Sequence, residues 1–359
     1  MRLITVLTCL AMTASAAAEL VTTHVIGPEF PGQYKHPASI TALENGDLYL
    51  AYYGGGGEYE DDSCVWGMRL PKGSSDWTTP EIIADTPFLA EGNPVVWQEP
   101  GGPLWLFYVQ RYGETWSDSR VKGKISEDGG ETWSDNFIVA YELGTMVQGR
   151  PHPLPRGGFL LPVYHETGHD HDIVGSDTCS FFLRWHPDTQ TWSETQRIYS
   201  RTGNLQIAVG NLRNGKFVGY ARRGGGYDPV DDGWVVRSES LDGQKWTSGE
   251  DSAFPNPNAA IAFISLQSGN LIMVYNHSMS GRTPLVIALS EDDDESYPHR
   301  RIVGAGDNTF AYPYIIQQDD GTIRLIYTTN SRSTIKMVTF TEDAIIGHVD
   351  ELPELPAKE

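Results

Sequence analysis

The sequence predicts an all-β chain, a six-bladed β-propeller of four-stranded antiparallel blades. Three observations carry this. Six turn glycines, Gly46, Gly102, Gly158, Gly215, Gly269 and Gly321, recur at separations of 56, 56, 57, 54 and 52 residues. Each lies between two apolar runs, as in ITALENGDLYLAYY and VGNLRNGKFVGYA. Asn-Gly, Gly-Gly, Ser-Gly or Asp-Gly between such runs is a hairpin signal, because glycine accepts the positive φ of the turn. Finally, Trp77, Trp133, Trp192, Trp246 and Tyr297 run in phase with the glycines. A repeat with two turn signals describes one four-stranded sheet. Such a sheet cannot bury both faces alone, so it packs radially against its neighbours. Helical periodicity is nearly absent.

The elements follow in chain order. Residues 1–18 read as a signal peptide: Arg2, then the apolar stretch Leu3 to Met12, then the small residues from Ala14 to Ala18. This predicts a secreted or periplasmic protein. No later segment reaches the ~20 apolar residues that span a bilayer. Residues 19–349 form one propeller domain. Blade one spans about Pro37 to Ile82, and blade six begins near Tyr312. Blade six offers three strands, YPYIIQQ, TIRLIYT and TIKMVTF, before the pattern stops. The expected fourth strand is Leu20–Ile26, which closes the ring and hides its open edges. The proline- and charge-rich residues 350–359 are expected to be a flexible tail.

Composition narrows the function. With 26 Lys and Arg against 47 Asp and Glu, the net charge is −21. A nucleic-acid partner needs a basic stripe and is excluded. Cleavage of the signal removes Cys9 and leaves Cys64 and Cys179, in blades one and three; a bridge and two separate thiols both remain open. A monomer without cofactor or metal is expected. His169, Asp170, His171 and Asp172 offer ligand types in a polar loop, and a solvated loop is the expected reading.

SEDGGETW, from Ser126 through Asp128 and Gly130 to Trp133, fits S-x-D-x-G-x-T-W. SLDGQKW (Ser240 to Trp246) is a shortened copy. Ser290, Asp292, Ser296 and Tyr297 form a degenerate one, and Asp188 to Trp192 a fainter one. The Asp satisfies backbone N–H groups of its own turn, and the aromatic wedges into the sheet. These motifs resemble the Asp boxes of the sialidase-like (BNR-repeat) propellers, and with the repeat they cover nearly the whole mature chain. The resemblance implies a carbohydrate-active protein. It also implies three arginines on a sialate carboxylate and a Tyr–Glu nucleophile pair. The first arginine belongs to an Arg-Ile-Pro at the start of blade one, where this chain has Lys35, His36 and Pro37. Tyr312 stands at a suitable height for the nucleophile, with no partner glutamate identifiable.

The repeat sorts the functional face. Six residues after each glycine stand Tyr52, Tyr108, Tyr164, Ala221, Tyr275 and Tyr327, a position expected to be structural. Seven residues after stand Tyr53, Val109, His165, Arg222, Asn276 and Thr328, which vary in chemistry at the loop edge. Strand one begins with His36, Asn93, Arg150, Gln206, Asn258 and Tyr312, which point toward the axis. The expected catalytic set is His165 for proton transfer, Arg222 and Arg150 as carboxylate clamps, and Tyr312 as second acid/base or nucleophile. His36, Tyr53, Asn93, Asn276 and Arg282 are expected to bind substrate. Arginine pairs bidentately with carboxylates, and histidine moves protons near neutrality. The predicted function is cleavage of an acidic, uronate- or sialate-containing oligo- or polysaccharide. β-Elimination is slightly preferred, because His165 and Arg222 resemble part of the His, Tyr and Arg set of seven-bladed ulvan and rhamnose–glucuronate lyases. The alternatives are a sialidase-type hydrolase with a Tyr nucleophile and a non-catalytic glycan-binding propeller.

Overall fold

A computed structural model describes residues 19–30, 32–169, 171, 173–227 and 232–355. The proposed signal peptide lies outside these residues. Six antiparallel sheets follow one another along the chain, and consecutive sheets pack face to face as propeller blades. Blade four shows the plan: Asn204–Asn211, Phe217–Arg223, Trp234–Ser240 and Glu250–Pro255 pair in simple order from the axis outward. Blade six is completed by Val21–Ile26, which pairs with Thr334–Phe340, so the first strand closes the ring as expected.

The turn glycines behave as their spacing implies, with one shift. Gly46, Gly158, Gly215, Gly269 and Gly321 have φ between 73° and 90°, but in blade two it is Gly101, at φ 68°, that takes this conformation rather than Gly102. Three of the four recognised Asp boxes show their expected bonds. Asp128 accepts from the Thr132 amide at 2.9 Å and hydroxyl at 2.5 Å. These bonds hold its carboxyl well below the usual range. Asp242 accepts from the amides of Gln244 and Lys245, and Asp292 from the amide and hydroxyl of Ser296. Their aromatics wedge between blades: Trp133 meets Tyr49, Trp192 meets Trp105, Trp246 stacks on Phe182 and Tyr297 meets Phe254, in each case the preceding blade.

Two further expectations resolve. Cys64 and Cys179 are separate buried thiols. The start of the supposed flexible tail is docked: Asp350 accepts from the Ile302 amide at 2.7 Å, the Pro353 carbonyl accepts from His277, and Leu352 packs on the cluster between blades four and five. Apolar packing there outweighs the tail's polar composition.

Candidate active site

A repeated irregularity builds the site. In the first strands of blades one, two, four and six, pairing slips between Lys35 and Ala38, Gly92 and Val95, Leu205 and Ala208, and Ala311 and Tyr314. Such bulges re-aim a side chain. Asn93, Gln206 and Tyr312 inside the slips have φ of 45°, 58° and 50°, and Asn258 at the start of blade five has 59°. Left-handed conformation in a residue other than glycine costs of order 1–3 kcal/mol and persists where the surroundings enforce it. The ring of axial side chains is thus held by local backbone strain.

Blade three corrects the ring. Counting 56 residues from Asn93 and 57 back from Gln206 both give Gly149, at φ 102°, and not Arg150. The first strand of blade three is split into Thr145–Val147 and His152–Pro153 around it. Arg150 therefore lines the axial cavity and the funnel on the turn-glycine face, and it does not join Arg222.

Tyr312 is the centre. Its hydroxyl accepts from Arg222 Nη1 and from Gln206 Nε2, each at 3.2 Å. Arg222 also donates to Gln206 Oε1 at 3.2 Å, which fixes the amide's orientation. The same guanidinium donates to Asn258 Oδ1 at 2.6 Å and Tyr227 at 2.9 Å. Arg282 lies 5.7 Å from the centre of the Tyr312 ring, and its Nη1 is buried without a partner. Burial, then the charges of Arg222 and Arg332, press its proton affinity downward.

The corner that His36 leaves without an arginine is filled from the neighbouring blade. Asn330, Ser331 and Arg332 are three consecutive left-handed residues between the second and third strands of blade six. They carry Arg332 to the Tyr34 hydroxyl, at 2.7 Å, and into an ion pair with Glu58. His36 instead buttresses Tyr312, ring edge to face, with centroids 4.1 Å apart. Thr328 gives its hydroxyl hydrogen to the Ala311 carbonyl, so His36 Nδ1 is the donor in its 2.7 Å bond to Thr328. Burial, then three arginines, keep this imidazole neutral.

Of the other expected residues, Tyr53 and Asn93 line the pocket; Asn93 donates to Tyr164 at 3.2 Å. Asn276 is buried against the Phe310 carbonyl, outside it. His165 faces away: its Nε2 lies 3.1 Å from the Leu143 carbonyl and 3.6 Å from Glu142. The split strand Thr145–Val147 inserts beside His165 and turns it from the axis, so it does not meet Arg222. Tyr164, expected to be structural, reaches the pocket with its hydroxyl.

Sequence reasoning missed Arg332, whose loop breaks the pattern of long polar loops, and Glu58. The partner glutamate that the sequence could not identify has a candidate in Glu166. It lines the Tyr312 pocket, where burial pushes its carboxyl up to about 7 against the pull of Arg222. Above these groups Tyr59 stacks on His171, with centroids 4.2 Å apart, and packs near Trp116. Arg111 holds this roof by donating to the Tyr59 and Glu114 carbonyls. The enclosed space is small, about 30 Å³. Among the described residues no group of three or more His, Cys, Asp or Glu is arranged to hold a metal, and no helix is long and apolar enough to cross a membrane. Asp170 and Asp172 of the polar loop lie outside the described residues.

Six blades, boxes between them and polar groups at the axial mouth define a sialidase-like propeller. The BNR repeat-like domain matches residues 46–325, and the chain belongs to that family. No protein of curated function matches it in sequence. Among solved structures, a Hadza microbial sialidase superposes with a TM-score of 0.74 at 15% identity, over 88% of this chain and 67% of that one. A Dyadobacter fermentans protein described as of unknown function gives 0.72 at 16%, over 90% and 99%. The intramolecular trans-sialidase of Ruminococcus gnavus gives 0.71 at 12%, over 88% and 96%. At these identities the likeness is one of fold.

Proposed function

We propose that this protein binds a carboxylated sugar, sialate or uronate, and hydrolyses its glycosidic bond. In this reading Arg222, Arg282 and Arg332 hold the carboxylate, Tyr312 is the reacting group and Glu166 gives a proton to the leaving oxygen. Glu58, the second carboxylate of the pocket, is the available acceptor for the phenolic proton. The observation that carries it is the buried, unpartnered Nη1 of Arg282, whose guanidinium lies over the ring of Tyr312 while Arg222 meets the hydroxyl of the same side chain. Uncompensated buried cationic donors are costly. A carboxylate supplies the missing acceptors with bidentate geometry. Superposable structures that are themselves sialidases support the same class. A glycan of this kind is met outside the cell, in keeping with the export signal read in residues 1–18. The space of about 30 Å³ requires the Tyr59–His171 roof to part as the sugar enters.

Elimination loses its named base, because His165 lies against Leu143 and Glu142. One observation favours a second reading, a glycan-binding propeller without catalysis. The Tyr312 hydroxyl accepts from the amide of Gln206 and the guanidinium of Arg222, and neither can take the phenolic proton.

The test is a panel of sialosides and uronate polysaccharides incubated with purified mature protein. Reducing sugar released without a rise in ultraviolet absorbance, and lost in Tyr312→Phe, supports hydrolysis. A rise in absorbance reports a new C4–C5 double bond and means elimination. Silence in both assays, with glycan retained on an affinity gel, leaves the binding module.

A further inference from the structure

We propose that the propeller axis holds a monoatomic anion of the halide class, bound by Arg150 beneath Gln206. The site is a cavity of about 20 Å³, lined by Gln148, Arg150, Gln206, Tyr314 and apolar residues of blades five and six. It contains one guanidinium and no carboxylate. Arginine stays charged in proteins, so this charge needs a counterpart. Among the described residues Arg150 has no ion-pair partner, and the group of opposing polarity that it feels is the Tyr314 phenol.

A second, independent observation points into the same cavity. The Tyr314 hydroxyl and Gln148 Oε1 are both buried and lack hydrogen-bond partners. The hydroxyl is a donor waiting for an acceptor, and the Gln148 amide can present its N–H₂ by turning its end. Two buried, unsatisfied groups beside a guanidinium without an ion pair mark a ligand that the protein atoms do not supply.

Size and charge then choose the ligand. A space of this size admits about one water-sized sphere. Sulfate, phosphate and carboxylates are too large, and a cation is repelled by Arg150. Water would satisfy the hydrogen bonds, but only an anion also offsets the guanidinium, which is half-buried between this cavity and the funnel. The backbone provides for the site specifically: a Cβ on Gly149 would stand 2.8 Å from the Ile207 carbonyl, so glycine is required where the strand breaks to bring Arg150 to the axis. The site is separate from the Tyr312 pocket. Gln206 divides them and spends both ends of its amide on the Tyr312 side. The inference therefore stands apart from the reading of the sugar site.

The experiment replaces chloride by bromide. In wild-type crystals grown with sodium bromide, an anomalous peak is expected within hydrogen-bond distance of Arg150. In solution, chloride or bromide should raise Tm saturably by about 2–4 °C over sodium gluconate at equal ionic strength. Arg150→Met should lose both effects. Tyr314→Phe removes one hydroxyl from a site of nearly unchanged shape. It should move the half-saturating halide concentration upward about tenfold, and it decides the matter if the arginine variant does not fold. A wild-type cavity without a bromide peak, or equal melting in halide and gluconate, overturns the proposal.

Discussion

The amide of Gln206 donates to the hydroxyl of Tyr312 across 3.2 Å, while its oxygen accepts from Arg222. Two N–H donors thus converge on the phenolic oxygen, and no carboxylate lies within hydrogen-bond distance of it among the described residues. Gln206→Glu puts a proton acceptor there with almost no change in shape. If Tyr312 is the reacting group, release of reducing sugar should rise by about 10²-fold, the lower range for an added general base. Steady-state assay on the responsive glycan checks this; an unchanged rate leaves Glu58 as the acceptor, and no reducing sugar from either protein argues for the binding module.

Arg282 has an unpartnered Nη1, so its removal leaves no broken protein contact at that atom. Arg282→Ala should weaken a carboxylated sugar about 10–100-fold, in line with loss of charge-assisted bonds worth roughly 1.5–3 kcal/mol. The methyl ester of the same sugar should bind both proteins about equally. Calorimetric titration measures both; an ester that loses as much as the acid would show that Arg282 does not read the carboxylate.

Burial raises the Glu166 carboxyl to about 7. Its proton is present below that pH and lost above it. A reaction using Glu166 as acid should fall off on the alkaline side with a midpoint near 7. Glu166→Gln should lower kcat/KM by about 10²–10⁴-fold and remove that limb of the profile. A pH–rate profile in a non-interacting buffer series decides it.

Glu91 tests the same physics away from the pocket. It is fully buried, one oxygen lacks a partner, and desolvation raises its carboxyl to about 7 from 4.5. The folded state therefore holds a proton that the unfolded state has released, and stability drains away as pH rises from about 4.5 through about 7. Glu91→Gln, which mimics the protonated acid, should match wild type at pH 4.5. It should be more stable by order 1–3 kcal/mol at pH 8. Denaturant melts at the two pH values provide the measurement.

Asp128 ties its turn together through the Thr132 amide and hydroxyl and the Ser126 hydroxyl. Asp128→Ala should lower Tm while leaving glycan binding unchanged, because Trp133 and its turn lie on the face away from Tyr312. Thermal melts paired with the titration above check both halves.

The sequence by itself determined the propeller. Glycines that must adopt positive φ, and aromatics in phase with them, are local requirements, and a repeat multiplies their signal. It also determined the closing strand, since a blade with three strands leaves an edge that Leu20–Ile26 alone could cover. It reached Tyr312, Arg222 and Arg282, because a ring position or loop edge can be counted from a turn. Counting failed where the backbone departs from the repeat. The break around Gly149 sent Arg150 down the axis, and the inserted Thr145–Val147 strand turned His165 outward. Three left-handed residues carried Arg332 into a corner that no spacing rule assigns to it. Only the tertiary structure decided which charges meet. Periodicity is written in each blade, whereas electrostatic convergence depends on how blades distant in sequence, here one, three, four, five and six, aim single side chains at one point.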